Sequence, residues 1–336
     1  MVYPWHSSAF DAVLARTGRL PHALLLRGRE GIGKLAFAEA LARALLCENR
    51  RPGQRACGHC AGCTWMEQGS HPDFRRLEPG ILSESREPEE GSERKPSLEI
   101  RIEQVREIAG FIAMTTHRGG PKVVLIHPAE TLNVSAANAL LKNLEEPPPQ
   151  TCFLLVAHRW HQLLPTVRSR CEQVVLAPPA RDAARGWLAE QNLRDADLAL
   201  AHAGGAPLLA QAFDEEFWRQ REAFLSAITR PAFDALASAE QLRETPPRLV
   251  LGWLQKWAFD LVSHKVAGRV RYNPDYSEAI AATAQRLGLA GALRFQRQMV
   301  RLQRIVSHPL NARLFLEHLL LEYGALLRED TGVQPA

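Results

Sequence analysis

The stretch from residue 21 to residue 47 constrains this chain most. Pro-His-Ala-Leu-Leu-Leu-Arg-Gly (21–28) reads as a short buried strand, and Leu35, Phe37, Ala38, Leu41, Leu45 and Leu46 recur at near-helical spacing over 34–47. Between them lies Gly28-Arg-Glu-Gly31-Ile-Gly33-Lys34-Leu35. Strand, glycine-rich turn and helix are the setting in which backbone amides cradle phosphates and a lysine reaches the outer ones. Gly28, Gly31, Gly33 and Lys34 therefore form a candidate nucleotide-phosphate site. Its last position is wrong, because Leu35 stands where a Ser or Thr hydroxyl would ligate Mg²⁺.

A unit of this kind calls for a parallel sheet, and further apolar runs supply it. Lys122–His127, 151–157 and 172–177 read as strands, with helices over 101–113, 131–146 and 161–171. After Pro178-Pro179 no strand pattern returns. Short helices at 181–191 and 195–203 are broken by Gly204-Gly205, and 213–327 reads as longer helices, with Trp253 and Trp257 one turn apart as core residues. The expected class is α/β followed by all-α. Residues 48–72 read as irregular, and the polar 78–97 stretch as a mobile surface loop.

Four of the six cysteines cluster: Cys47, Cys57, Cys60 and Cys63. Two overlapping C-x-x-C steps with a fourth thiol at a helix end suit a closed, structural Zn²⁺ site. An iron–sulfur cluster and free thiols are the rival readings, and His59 reads as a bystander. A net charge of +4 permits nucleic-acid contact without arguing for it. With no apolar run of bilayer length and no secretory pattern at the start, the expected location is the cytoplasm.

The second strand tests the phosphate site independently. A hydrolysing P-loop enzyme ends it in a carboxylate that helps hold Mg²⁺. Here it ends in His127-Pro128, and Glu130 should point elsewhere beyond the proline. Two parts of the metal and water chemistry are missing, so the chain reads as non-hydrolysing, with ATP bound weakly or not at all. Arg168 and Arg170, in Thr166-Val-Arg-Ser-Arg-Cys171, lie at a helix end, where they read as solvated charges or as groups offered to a neighbour.

Several segments together resemble the delta-prime subunit family of bacterial DNA polymerase III clamp loaders. They are His22-Ala-Leu-Leu-Leu, the cysteine insert, His71-Pro-Asp73, Asn138-Ala-Leu-Leu-Lys-Asn-Leu-Glu-Glu-Pro-Pro148, and Ser169-Arg-Cys171 followed by Leu176-Ala-Pro-Pro179. The resemblance is dense in the first domain and extends to the rest only in layout. It implies an AAA+ α/β domain over 1–177 with a zinc module near 47–63, a small helical lid over 178–212, and a helical collar over 213–330 used for pentamer assembly. It implies Zn²⁺ on the four cysteines and Arg170 as an arginine finger acting in trans, with Arg168 the lesser candidate. Gamma/tau-type motor subunits and a delta subunit would be partners in loading a sliding clamp onto primed DNA. The chain would be a non-catalytic subunit of a DNA-directed DNA polymerase. Ala157-His158 replaces the family's polar sensor pair, and Gly204-Gly-Ala-Pro207 stands where many members carry a sensor arginine. Two other readings are a self-sufficient ATPase with an unusual metal arrangement, and a zinc-dependent nucleic-acid module using Arg50, Arg51 and Arg55.

Overall fold

In a computed structural model, residues 1–50, 54–82, 97–117, 119–306 and 311–329 are described. Most of the 78–97 stretch, together with Arg51, lies outside them. The chain divides into two units, Met1–Ala183 and Ala184–Ala336.

The first unit starts with α1 (Ser7–Ala15), β1 (Ala23–Arg27), α2 (Lys34–Leu46) and α3 (Ala61–Glu67). There follow β2 (Phe74–Leu77), α4 (Ile102–Ala113), β3 (Lys122–Ile126), α5 (Val134–Glu145), β4 (Thr151–Ala157), α6 (Pro165–Arg168) and β5 (Glu172–Val175). All five strands run parallel in the order β2-β3-β4-β1-β5. The register pairs Leu26 with Val156 and Val124 with Phe153. Strands β3 and β4 are buried along their whole length, so their sequences are unbroken apolar runs. The expected AAA+-type parallel sheet with helices is the one observed.

Three expectations need correction. The helix expected over 161–171 is a 3-10 turn at Trp160–Gln162 followed by the four residues of α6, because Pro165 starts a new turn and Arg168 ends it. The sheet has a fifth strand, β2, at its edge; Phe-Arg-Arg-Leu carries two exposed arginines and only one buried residue, so it has no apolar run to read. Residues 48–72 are not wholly irregular either. Helix α3 forms within them, with the Cys60 sulfur accepting the Cys63 amide at its N-terminus. His71-Pro-Asp73 is structural: buried His71 accepts the Asp73 amide, and buried Asp73 accepts the His117 amide, which sets the start of β2.

After α7 (Arg181–Glu190), which spans the boundary, the second unit contains α8 (Ala196–His202), α9 (Pro207–Gln211), α10 (Glu215–Ile228) and α11 (Ala235–Gln241). It continues with α12 (Pro247–Ala267), α13 (Ser277–Arg286), α14 (Leu289–Leu302) and α15 (Ala312–Glu329). No strand occurs here among the described residues. A small core around Leu188, Leu200 and Ala210 is distinct from a larger one built on Trp253, Trp257, Leu316 and Tyr323. Both tryptophans are core residues, as expected.

A buried polar network ties these helices together. Asp260, on α12, accepts the amides of Arg271 (2.8 Å), Tyr272 (3.1 Å) and Asn273 (2.9 Å). Asn273 accepts from Arg221 at 2.8 Å, and Arg221 forks onto Asp275 at 2.7 and 2.9 Å. The guanidinium also reaches His202 at 3.2 Å. Burial raises the Asp260 pKa although every one of its hydrogen bonds favours the charged form. Replacing Asp260 with alanine strands three amides and the arginine's support in a dry interior. Loss of one partner from such a network costs roughly 3–5 kcal/mol. A urea titration of Asp260→Ala should show the second unit unfolding that much more easily; a change below about 1 kcal/mol would refute this account.

Candidate functional site

Parallel strands β3, β4 and β1 are neighbours, so their C-terminal ends meet along one rim of the sheet, where open α/β sheets place ligands. Gly28 follows β1 and the glycine turn leads into α2. Gly31 (φ 74°) and Gly33 (φ 94°) occupy the left-handed region that makes this turn possible. Gly28 has an additional packing reason: a Cβ there would lie 2.3 Å from the Leu176 carbonyl oxygen.

The turn is occupied by the protein's own groups. Lys34 is 2% exposed and its ammonium donates to the Arg29 carbonyl inside the loop. Burial lowers its pKa to about 8, against the opposing pull of Glu130 and Glu30. The Trp5 indole donates to Ile32 O at 2.9 Å, and Tyr3 stacks on Trp5 with ring centres 5.0 Å apart. A Cβ on Gly33 would be only 2.3 Å from the Tyr3 ring, so Tyr3 lies directly on the turn. Sequence reasoning missed this cover. The signal available was the aromatic Tyr3-Pro-Trp5-His6 run, which has no amphipathic period to explain it.

At the ends of β3 and β4, two imidazoles stand where carboxylate and polar groups would serve a metal. Their Nε2 atoms are 3.3 Å apart. Burial first, then nearby cations, lowers His127 to about 4 and His158 to about 3. Both are therefore neutral at pH 7. Glu130 is turned toward the backbone, accepting the amides of His158 (3.1 Å) and Arg159 (2.9 Å). Its carboxylate is thus used to hold the loop after β4.

The two arginines beyond β4 are held differently. Arg168 packs over Trp160, 5.2 Å from the ring centre, with its Nε buried. Arg170 lies nearer the surface, bridged to Glu145 at the end of α5 and donating to Thr166 O at 2.9 Å.

The four cysteines converge. Cys47 ends α2, Cys60 precedes α3, and all four sulfurs lie within 4.8 Å of one another. The separations of 3.8 Å (Cys47–Cys60) and 3.9 Å (Cys57–Cys63) match the ~3.8 Å edge of a tetrahedron with Zn–S bonds of about 2.3 Å. Helix ends α2 and α3 can meet because residue 62 is glycine; a Cβ there would lie 2.5 Å from Leu46 O. Burial pushes Cys63 up to about 12. For Cys60, burial is outweighed by N–H groups and neighbouring thiols, leaving it at about 6. The four residues could hold one Zn²⁺, whose charge would stabilise all four thiolates. His59 turns instead to Cys57 O. Arg55 is tied to Asp11 at 3.2 Å and lies over Phe10. Cys152 and Cys171 are buried elsewhere, each pushed up to about 12.

Sheet order, glycine turn and cysteine insert define a P-loop domain of AAA+ type with an altered nucleotide pocket. A family model described as DNA polymerase III, delta subunit, matches residues 8–180, and a second, for the C-terminal part of the DNA polymerase III delta subunit, matches 215–324. The chain is 34% identical to DNA polymerase III subunit delta' of Pseudomonas aeruginosa, covering 97% of this chain and 98% of that protein. Identity to the subunit delta' of Escherichia coli K12 is 36%, covering 85% and 83%. Among solved structures, a DNA polymerase III gamma subunit-related protein of Thermotoga maritima overlaps 95% of this chain and 99% of that one, at 19% identity and a TM-score of 0.47. The chain belongs to the DNA polymerase III delta-prime family of clamp-loader subunits. Among the described residues no helix is long and apolar enough to cross a membrane.

Proposed function

We propose that this chain is the non-hydrolysing member of a cytoplasmic clamp loader, assembled with gamma/tau-type motor subunits and a delta subunit in a hetero-pentamer. In this reading it presents Arg170 to ATP bound by the adjacent motor subunit while the complex loads a sliding clamp onto primed DNA. It contributes no ATPase chemistry of its own to the holoenzyme. One observation carries the proposal: neutral imidazoles, not carboxylates, stand at the ends of β3 and β4, with Leu35 in the hydroxyl position. Those three positions offer Mg²⁺ neither hydroxyl nor carboxylate, and Glu130 is engaged by backbone amides. Arg170, by contrast, is half-exposed at a helix end, with Glu145 orienting it. Residues 1–177 would be the AAA+ domain, 178–212 the lid and 213–330 the collar, with a structural zinc ion on Cys47, Cys57, Cys60 and Cys63.

The isolated chain tests the non-hydrolysing half of this proposal. It should show no Mg²⁺-dependent ATP turnover, and sustained turnover would establish the self-sufficient ATPase instead. Tyr3 covers the glycine turn, so the binding-competent state is a minor one and apparent affinity falls with its population. The double variant Tyr3→Ala/Trp5→Ala should therefore bind a fluorescent ATP analogue about tenfold more tightly, a change of ~1.4 kcal/mol, and still hydrolyse none. Equal binding by the native and variant chains would show that the aromatic pair does not gate the pocket.

A further inference from the structure

Helix α14 carries a charged face that the ATP chemistry does not use. Its core side is Ala292, Phe295, Met299 and Leu302, all buried. Beside that stripe, Arg294, Arg297 and Arg301 recur at three- and four-residue spacing and so share a face. Together with α15 they line a groove of about 380 Å³. The groove opens because Gly291 on one helix and Ala325 on the other offer no bulk, and Glu322 is the one acid among its lining residues.

Neighbouring guanidiniums repel, and several arginines of this unit answer that charge with a nearby acid. Arg219 pairs with Glu216, Arg243 with Glu240 and Arg313 with Glu317. Arg297 and Arg301 are exposed, and neither pairs with a carboxylate among the described residues. Like charges at i,i+4 cost a helix a few tenths of a kcal/mol each, and no carboxylate among the described residues offsets that cost at Arg297 and Arg301. From Arg294 to Arg301 the helix rises roughly 10.5 Å, at 1.5 Å per residue. Three guanidiniums along that span can each meet one phosphate of a strand laid beside the helix. Guanidinium forks match phosphate oxygens, and arginines set along one helix face can follow a strand laid along the groove.

We propose that this groove binds the phosphate backbone of a nucleic-acid strand. The inference does not depend on the state of the P-loop or on Arg170. It is tested with the full chain and a dye-labelled oligothymidylate, reading anisotropy over a range of KCl concentrations. Each phosphate contact on a single strand contributes a slope of about −0.7 in log K against log salt, so three give about −2. The double variant Arg297→Ala/Arg301→Ala should flatten that slope by about 1.4 and weaken low-salt binding by at least tenfold. Arg297→Lys/Arg301→Lys should keep the slope. Arg219→Ala/Arg243→Ala removes the same charge from paired positions and should bind like the native chain. Four results would overturn the proposal: no binding by the native chain, native-like binding by Arg297→Ala/Arg301→Ala, an equal loss in Arg219→Ala/Arg243→Ala, or displacement of the oligonucleotide by poly-glutamate as readily as by unlabelled DNA at matched charge. The last would assign the groove to an acidic protein segment.

Discussion

In a reassembled clamp loader with clamp and primed DNA, Arg170→Ala should lower ATP turnover by about 10³, the lower end of what an arginine finger contributes. The folded chain should be little affected. Arg170 is a partly exposed side chain that bridges to Glu145 and donates to the nearby Thr166 carbonyl and Ser169 hydroxyl, and exposed ion pairs contribute at most about 1 kcal/mol. That contrast makes the experiment informative: turnover collapses while assembly and thermal stability stay near native. Arg170→Lys should rescue little, because an ammonium cannot fork onto phosphate oxygens. Arg168→Ala should behave in the opposite way, with a modest loss of stability through the Trp160 stack and a small effect on turnover. Native turnover in Arg170→Ala would remove the trans role and leave the chain as a scaffold. Glu145→Gln should cause an intermediate loss, since it frees Arg170 without deleting it.

The second large effect is expected at the four cysteines. Native protein should contain one zinc per chain, and Cys63→Ser should contain almost none. Free zinc-finger peptides owe about 10–16 kcal/mol to their metal. The loss here should be smaller, at least ~3 kcal/mol, because α2 anchors one end of the module and the Arg55–Asp11 pair supports the other. For a unit of this size that is a fall in Tm of roughly 6–12 °C. Acid should act as a chelator does. A four-thiolate zinc site needs every thiol deprotonated, and burial, helped by neighbouring thiols, raises Cys47 and Cys63, so metal affinity should fall as pH falls. Cys152→Ser and Cys171→Ser should leave the zinc content unchanged. A native chain free of metal that melts like Cys63→Ser would refute the zinc assignment.

Much of the site was legible because its chemistry is local. The glycine turn, Lys34, the absent hydroxyl at Leu35 and the C-x-x-C steps are short patterns whose spacing carries their meaning. The strands β1, β3 and β4 were legible because both of their faces are buried, which leaves unbroken apolar runs. Edge strand β2 was not, since one paired side and two exposed arginines leave almost no hydrophobic signal. Helix α3 was hidden for a related reason: its seven residues, Gly62 and Cys63 among them, depend on the cysteine cluster and the Leu46 contact more than on helix propensity.

Other features exist only in three dimensions. Tyr3 reaches Gly33, thirty residues along the chain, because α1 carries the N-terminal segment back over the turn. His127 and His158 face each other because strand order sets β3 beside β4. Glu130 showed in sequence only as an acid displaced beyond a proline; folding gives it two amides to hold. The arginines of α14 are spread through an ordinary amphipathic helix, and only its packing beside α15 turns them into the wall of a groove. Residue order alone was enough for the apolar strands, the clustered cysteines and the absence of a hydroxyl at Leu35, because each depends on residue type at short spacing. What covers the glycine turn, which of the two arginines lies nearer the surface and which arginines line a groove were set by folding, because those depend on which distant surfaces burial brings together.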